Sequence, residues 1–119
     1  MYPIAEIRTT FPDRQAAEAC ARRLVAARLA ACVQIDGPVA SVYHWQEQVE
    51  QSVEWRCTCK TTTAGLSACV AAILSAHPYQ LPEVLVAAVE ATANYHAWVR
   101  AAVTALPGDG DGAGAGGNG

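Results

Sequence analysis

The sequence predicts an α+β domain with strands and helices in the order β-α-β-β-α-β-α. Two stretches with helical spacing of apolar residues alternate with strand-like stretches, and the longest alternating segment pairs with its predecessor as a hairpin. The first six elements match the split β-α-β arrangement called ferredoxin-like, in which two helices pack on one face of an antiparallel sheet. A C-terminal helix follows these six elements.

The chain length bounds the organisation. With 119 residues the chain has room for one domain. Residues 107–119 hold most of the glycines and almost no large apolar side chains, so they cannot offset the entropy lost on ordering. We therefore expect a single folded domain over 1–106 and a disordered glycine-rich tail over 107–119.

The first strand and first helix are predicted at residues 4–10 and 13–28. The strand is rich in β-branched residues. Pro12 and Asp13 then open the helix, where an acidic side chain is favourable near the positive end of the helix dipole. Its apolar stripe recurs at helical spacing and consists of Ala17, Cys20, Leu24 and Ala27.

A long hairpin is predicted over residues 31–60. Its first strand, 31–46, is interrupted at 36–38 by Asp-Gly-Pro, which suggests a bend or bulge. A polar turn at 46–48 leads to the clearest alternation in the sequence. One face of that second strand carries Val49, Gln51, Val53, Trp55, Cys57 and Cys59, and the other carries Glu50, Ser52, Glu54, Arg56, Thr58 and Lys60.

The second half of the chain is predicted to form a helix, a strand and a last helix. The threonines at 61–63 can cap the next helix, whose apolar stripe ends at His77-Pro78. The uninterrupted apolar run at 84–89 predicts a strand buried in the middle of the sheet. A last helix is expected over 94–106, with Tyr95, Trp98 and Val99 on one face and Pro107 at its end.

Composition excludes several classes of protein. The net charge is −3, with 8 Lys and Arg against 11 Asp and Glu, so the basic surface of a nucleic-acid-binding protein is lacking. No apolar run has the ~18–20 residues that span a bilayer, and no signal-peptide pattern opens the chain. The 5 cysteines are expected to be free thiols in a cytoplasmic protein.

Aromatic residues on the first hairpin strand leave two arrangements open. Tyr43 and Trp45 fall on the sheet face that the two helices do not cover, where bare solvent is unfavourable for large aromatic side chains. Either the third helix covers them or the hairpin takes part in oligomerisation.

The cysteines favour core packing with one exception. Cys57 and Cys59 share a strand face with Val53 and Trp55, and they lack the paired C-x-x-C motifs of a structural zinc site. Cys20 and Cys69 lie on apolar helix stripes. Cys32 has the opposite parity to its apolar neighbours, so it points away from the helices, where a thiolate suits Cu(I).

The segment 77–83 presents polar groups on a stiff loop. Pro78 and Pro82 enclose Tyr79 and follow His77, and Glu83 leads into the next strand. A rigid site and a plain helix-to-strand connector are both open. Catalytic motifs are lacking: there is no nucleophile elbow or phosphate-binding glycine loop before the tail, and Arg14 has no glycine-rich cradle for acylphosphatase chemistry.

Five separated motifs together resemble the CutA family of divalent-cation-tolerance proteins. They cover nearly the whole domain and keep the same spacing. They are Arg28-Leu29-Ala30-Ala31-Cys32-Val33, Tyr43-His44-Trp45, Lys60-Thr61, His77-Pro78-Tyr79-x-x-Pro82-Glu83 with Glu90, and Asn94-Tyr95-x-x-Trp98.

The resemblance implies a ferredoxin-like homotrimer similar to the PII regulatory proteins, linked to tolerance and binding of copper or other divalent cations. It implies no catalysis, no cofactor needed for folding, no nucleic-acid or membrane partner, and an unknown downstream partner. Cys32 becomes the main metal candidate, aided by His77, while Trp45, Lys60, Tyr79 and Glu83 match positions that line a pocket between subunits. A PII-like small-molecule sensor with its ligand between subunits is the alternative.

Three features of the chain depart from the family pattern. Glu47 stands where many members have a glycine in the hairpin turn, and Ala88 stands where a proline is common. The glycine-rich tail belongs to no family pattern. None of these departures touches the expected site.

Overall fold

The computed structural model describes residues 1–103, so the predicted tail at 107–119 lies outside the described residues. The last helix was predicted to reach residue 106, but it ends at Ala102, and Val103 is its C-cap in an extended conformation. Within residues 1–103 the predicted order of elements is confirmed. The elements are β1 (Tyr2–Phe11), α1 (Arg14–Ala26), β2 (Cys32–Trp45), β3 (Gln48–Thr61), α2 (Leu66–Ala76), β4 (Val84–Ala91) and α3 (Ala93–Ala102).

The four strands form one antiparallel sheet in the order β2-β3-β1-β4. The hairpin strands β2 and β3 are much longer than β1 and β4, so they extend past the rest of the sheet. This order is that of the ferredoxin-like fold, and the predicted fold class is confirmed.

The main core lies between one face of the sheet and helices α1 and α2. Ile7 and Phe11 of β1 point into it, together with Cys57 and Cys59 of β3. Of the predicted stripe of α1, Ala17, Cys20 and Leu24 are buried in this core, whereas Ala27 is the exposed C-cap of the helix. Helix α2 contributes Cys69 and Ile73. The apolar face of the sheet, with a period of two residues, and the apolar faces of the helices, with a period of 3.6 residues, therefore pack against each other in one core.

Helix α3 covers only one end of the opposite face. Ile4 alternates with Ile7 along β1 and packs on Val99 and Val103. Ala31 and Ala91 complete this second cluster. Tyr43 and Trp45 lie at the other end of the hairpin, so α3 does not cover them, and the first of the two arrangements considered for them is wrong for this chain.

Strand β4 corrects the prediction of a buried central strand. It lies at the edge of the sheet, and Leu85 and Val86 are exposed. An apolar run predicts that a strand is buried, but it does not predict whether the same chain or another molecule buries it. In this chain alone, the run at 84–89 is largely uncovered.

A bulge in β2 changes the parity of the hairpin. The register runs from Asp36 opposite Arg56 to Val39 opposite Glu54, so β2 has one more residue than β3 between these pairs. Cys32 before the bulge and Trp45 after it consequently share the sheet face turned away from α1 and α2, although one number is even and the other odd. The interruption expected at 36–38 is confirmed.

The two helices α1 and α2 begin with different N-caps. Asp13 caps α1, and its carboxylate accepts a 2.8 Å hydrogen bond from the Ala16 N–H. The expected threonine cap of α2 is wrong: Gly65 is the N-cap, while Thr62 Oγ1 accepts from the Gly65 N–H one turn earlier. Over residues 1–103 no helix is long and apolar enough to cross a bilayer.

Candidate functional site

Cys32 lies at the start of β2, half-buried, opposite Lys60 of β3. Its neighbour Val33 packs into the core under the helices, so alternation turns the Cys32 side chain to the other face, as predicted. Lys60 shares that face and donates a 2.8 Å hydrogen bond from Nζ to Gln34 Oε1. The thiol therefore sits among polar groups on the sheet face that only α3 partly covers.

His77 lies just after α2 and is held on both ring nitrogens. The Tyr79 N–H donates to Nδ1 over 3.2 Å, which makes Nε2 the protonated nitrogen that donates to the Thr10 carbonyl over 2.8 Å. The ring also stacks on Phe11 with centroids 4.4 Å apart. Burial lowers the pKa of His77, although the Thr10 carbonyl and the Glu54 carboxylate oppose that shift.

Tyr79 connects the loop 77–83 to the hairpin. Its hydroxyl donates a 2.7 Å hydrogen bond to Glu54 Oε2 of β3. Burial raises the pKa of Tyr79, and the Glu54 carboxylate raises it further, so the phenol keeps its proton. His77 and Tyr79 are both hydrogen-bonded to strands, so this loop is anchored to the sheet at two points.

A charged group lies next to this loop. Arg56 of β3 forms a bidentate pair with Asp36 of β2 at 2.9 and 3.3 Å. The hydrogen bonds from Arg56 hold the pKa of Asp36 below its usual range. Asp36 in turn raises the pKa of Arg56, with a smaller contribution from the Glu83 carboxylate.

The predicted site residues do not gather in one chain. Lys60, the partner of Cys32, lies five positions along β3 from Trp55, the partner of Phe11, which is roughly 16 Å of strand. Because His77 stacks on Phe11 on the helix-covered face, it also lies across the sheet from Cys32. Trp45 and Lys60 are at opposite ends of the hairpin, roughly 40 Å apart along β3.

Metal ligation within one chain is therefore incomplete. Across the described residues, no group of three or more His, Cys, Asp or Glu side chains is placed to hold a metal ion. Cys32 fits as a soft ligand by its chemistry and position, but one thiol is less than a coordination sphere. A coordination sphere around Cys32 would need ligands from outside the residues that the structure describes.

Sequence reasoning missed the partners that fix the loop. Glu54 was placed on the correct face of β3 but was not linked to Tyr79, and the Phe11 and Thr10 contacts to His77 were not foreseen. No local signal exists for these contacts, since they join residues 25 and 67 positions apart in the chain.

The fold and its largely uncovered sheet face define a small α+β protein of the ferredoxin-like class. Solved structures of this class superpose on most of the chain. CutA from Xylella fastidiosa has a TM-score of 0.82 at 32% identity, covering 85% of this chain and 98% of its own. The divalent cation tolerance protein CutA1 from Thermus thermophilus has a TM-score of 0.79 at 31% identity, covering 86% and 99%.

Sequence comparison gives the family. The model of the CutA1 divalent ion tolerance protein family matches residues 6–102. The divalent-cation tolerance protein CutA of Escherichia coli K12 / DH10B is 35% identical over 95 residues, which is 79% of this chain and 85% of the relative. This chain belongs to the CutA1 divalent ion tolerance family.

Proposed function

We propose that this chain is a non-enzymatic, cytoplasmic divalent-cation-tolerance protein that assembles as a homotrimer and binds copper or another divalent ion through Cys32. Family membership supports the tolerance role. The observation that carries the proposal is the position of Cys32, half-buried on the sheet face that α1 and α2 leave uncovered. The 5 free cysteines fit a reducing compartment.

Assembly is part of the proposal because the site is incomplete in one chain. Trp45, Lys60, Tyr79 and Glu83 meet in one pocket only if they come from different copies, since the hairpin holds Trp45 far from Lys60. Exposed apolar side chains on the hairpin and β4 favour contacts between copies. A closed three-fold arrangement covers such surfaces without leaving a free edge.

His77 has a conditional role at the metal. Both ring nitrogens are hydrogen-bonded, and a ligand nitrogen must have a free lone pair. His77 therefore joins Cys32 only from a neighbouring copy and only by giving up one of these bonds. We expect replacement of Cys32 to weaken metal binding more than replacement of His77.

Sedimentation equilibrium tests the assembly, with and without one equivalent of copper. A metal-independent mass near three times 12.5 kDa supports the proposal, and a monomer contradicts it. Equilibrium dialysis with Cu(II), and with Cd(II) as a redox-inert divalent probe, tests the site. Cys32→Ser should abolish binding while the control Cys69→Ala retains it; equal binding by both variants contradicts the role of Cys32.

A small-molecule sensor similar to the PII trimers is the second candidate. It is favoured by Lys60, a half-buried cation on the uncovered face that is held by a neutral amide, Gln34, at 2.8 Å. A ligand that binds only the folded state raises the melting temperature. Thermal stabilisation by an anionic nucleotide, lost in Lys60→Met and not reproduced by divalent ions, supports this candidate over metal binding.

A further inference from the structure

A cleft lies between helices α1 and α2 on the helix-covered side of the sheet. Its volume is about 190 Å³, and most of its wall is apolar. The proposed function uses none of the residues that line this cleft, since Cys32 lies on the opposite face of the sheet. The apolar lining residues are Phe11, Ala16, Ala19, Ile73, Ala76 and Pro78.

The cleft follows α1, with an aromatic ring near one end and a cation near the other. Ala16, Ala19 and Arg23 follow one another at spacings of three and four residues, so they share one face of the helix. Arg23 lies seven positions after Ala16, which is roughly 10 Å along the helix axis. Phe11 comes before the first turn of α1, whereas Arg23 belongs to its last turn.

Small side chains keep the cleft open. Ala16 and Ala19 on α1 and Ala76 on α2 end at Cβ, so the space above them is left unfilled. Helix α2 has no charged residue between Leu66 and Ala76, so this wall offers no ion-pair partner to a group in the cleft. The result is an apolar cleft with room for the chain of a small molecule.

Arg23 supplies the charge of this lining. Over residues 1–103 no carboxylate lines the cleft, and Arg23 belongs to none of the ion pairs. Arg14 on the same helix differs, because it is paired with Glu18 at 3.0 Å and lies over the Trp55 ring. A guanidinium holds a carboxylate through two parallel N–H···O bonds, so Arg23 has donors that fit such an anion.

We propose that the cleft binds a small monocarboxylate with an apolar chain, whose carboxylate pairs with Arg23 and whose chain packs toward Phe11. A cavity of about 150 Å³ takes benzene, and drug-sized ligands need about 300 Å³ or more, so this cleft suits about six to nine heavy atoms. The inference goes beyond the proposed function, because this site needs no metal ion, no Cys32 and no second copy of the chain.

The lining disfavours other small ligands. A metal cation would meet the Arg23 guanidinium and a single thiol, that of Cys20, which do not make a coordination sphere. An inorganic anion would pair with Arg23 but would leave the apolar wall around Ile73 in contact with water. An anion with an apolar chain uses both parts of the cleft.

Nuclear magnetic resonance with hexanoate, which falls in this size range, tests the location of the site in the metal-free full chain. The sequence has one phenylalanine, Phe11, so selective isotope labelling of phenylalanine reports on a single ring in the lining. Saturable binding with nuclear Overhauser effects between the hexanoate methylenes and the Phe11 ring supports the proposal. Absence of binding at millimolar hexanoate, or binding without contacts to this ring, overturns it.

Two matched probes test the chemistry of recognition. Hexylammonium keeps the chain and reverses the charge, while acetate keeps the carboxylate and lacks the chain. Each should bind at least about tenfold more weakly than hexanoate, because each loses one of the two contacts. Equal affinity for hexanoate and either probe overturns the proposal.

Two pairs of variants test the residues. Arg23→Gln should weaken hexanoate binding at least about tenfold, while Arg22→Gln, an exposed neighbour outside the lining, should leave it unchanged. Ala19→Leu should fill the cleft and abolish binding, while Ala71→Leu on α2 is the control outside the lining. All four positions are exposed, so the fold tolerates these changes. Unchanged binding in Ala19→Leu, or equal binding by the two arginine variants, overturns the proposal.

Discussion

At the scale of single residues, His77 combines a neutral ring with two hydrogen bonds. A protonated ring carries a hydrogen on Nδ1, which can no longer accept from the Tyr79 N–H. Burial disfavours the cation as well and lowers the pKa of His77. The charge state of this one side chain is thus tied to the conformation of the loop 77–83.

This coupling predicts a pH dependence of stability. Because the pKa of His77 is lower in the folded state than the ~6.5 of an unfolded histidine, the unfolded chain binds the proton more readily. The contribution of His77 to stability is complete above that pH and is lost as the pH falls toward the lowered pKa. The free energy of unfolding should therefore drop more in the wild type than in His77→Gln between about pH 7.5 and 5.5.

Urea denaturation at one fixed protein concentration measures this difference, since oligomer stability depends on concentration. The matched control is His44→Gln, because His44 is exposed on the hairpin. If His77→Gln shows the same pH slope as the wild type, the neutral, hydrogen-bonded ring does not contribute to the pH dependence.

The Tyr79 hydroxyl gives a second prediction at this scale. Tyr79→Phe removes a 2.7 Å hydrogen bond and leaves the Glu54 carboxylate without that donor. We expect a loss of about 1–2 kcal/mol in the free energy of unfolding. Tyr95→Phe, which alters an exposed tyrosine of α3, is the control and should change stability by much less. Equal effects of the two variants contradict a loop held by this bond.

Residue-scale features divided into those that the sequence could predict and those that it could not. The outward direction of Cys32 follows from strand parity, a local property. The double hydrogen bonding of His77 and the Tyr79–Glu54 contact depend on where distant strands end relative to the loop. Such contacts are set by the tertiary fold, so residue types and spacing alone do not predict them.

At the scale of elements, the bulge of β2 is shaped by Gly37. A Cβ atom built on Gly37 would lie 2.7 Å from Cε3 and 2.8 Å from Cδ2 of the Trp55 ring. Real carbon atoms do not approach so closely, and the indole is a bulky group that cannot easily move aside. The glycine lets the backbone of β2 pass directly over Trp55.

Gly37→Ala should therefore lower the free energy of unfolding by about 1–3 kcal/mol through overpacking. Thermal melting at fixed concentration measures the change. Ala40→Ser, an exposed position on the same strand, is the control and should leave the melting temperature nearly unchanged. A Gly37→Ala protein as stable as the control would show that the Trp55 ring can move aside.

Element types and order were predictable because the hydrophobic periods of helix and strand differ, and the chain keeps them apart. The order of the strands in the sheet was harder to predict. The apolar run of β4 predicted burial, yet the strand lies at an edge with Leu85 and Val86 exposed. Periodicity reports which faces avoid water, while strand order depends on the packing of the whole sheet.

At the scale of the molecule, exposed apolar residues lie both on the sheet face turned away from α1 and α2 and on the helices that cover the other face. Leu85 of β4 is 54% exposed on the sheet face turned away from α1 and α2, since it pairs with Arg8. Leu74 of α2 is 50% exposed on the helical layer. The two positions match in side chain and exposure, which makes them a test of which layer meets other copies.

Leu85→Glu should lower the mass in sedimentation equilibrium toward 12.5 kDa, because a charge at an interface between copies must be desolvated. Leu74→Glu should leave the mass unchanged. A mass that falls only in Leu74→Glu would place the interface on the helical layer and contradict the proposed assembly.

The bulge between Asp36 and Val39 has a consequence for the divergence of related sequences. A deletion of one residue there would remove the bulge while Val39 stayed opposite Glu54, so the outer hairpin would keep both its register and its faces. The extra residue is therefore a place where one codon can be lost or gained without changing the surface that the outer hairpin presents. Strand β3 has no such spare residue in this stretch, so a deletion there would shift the pairing instead.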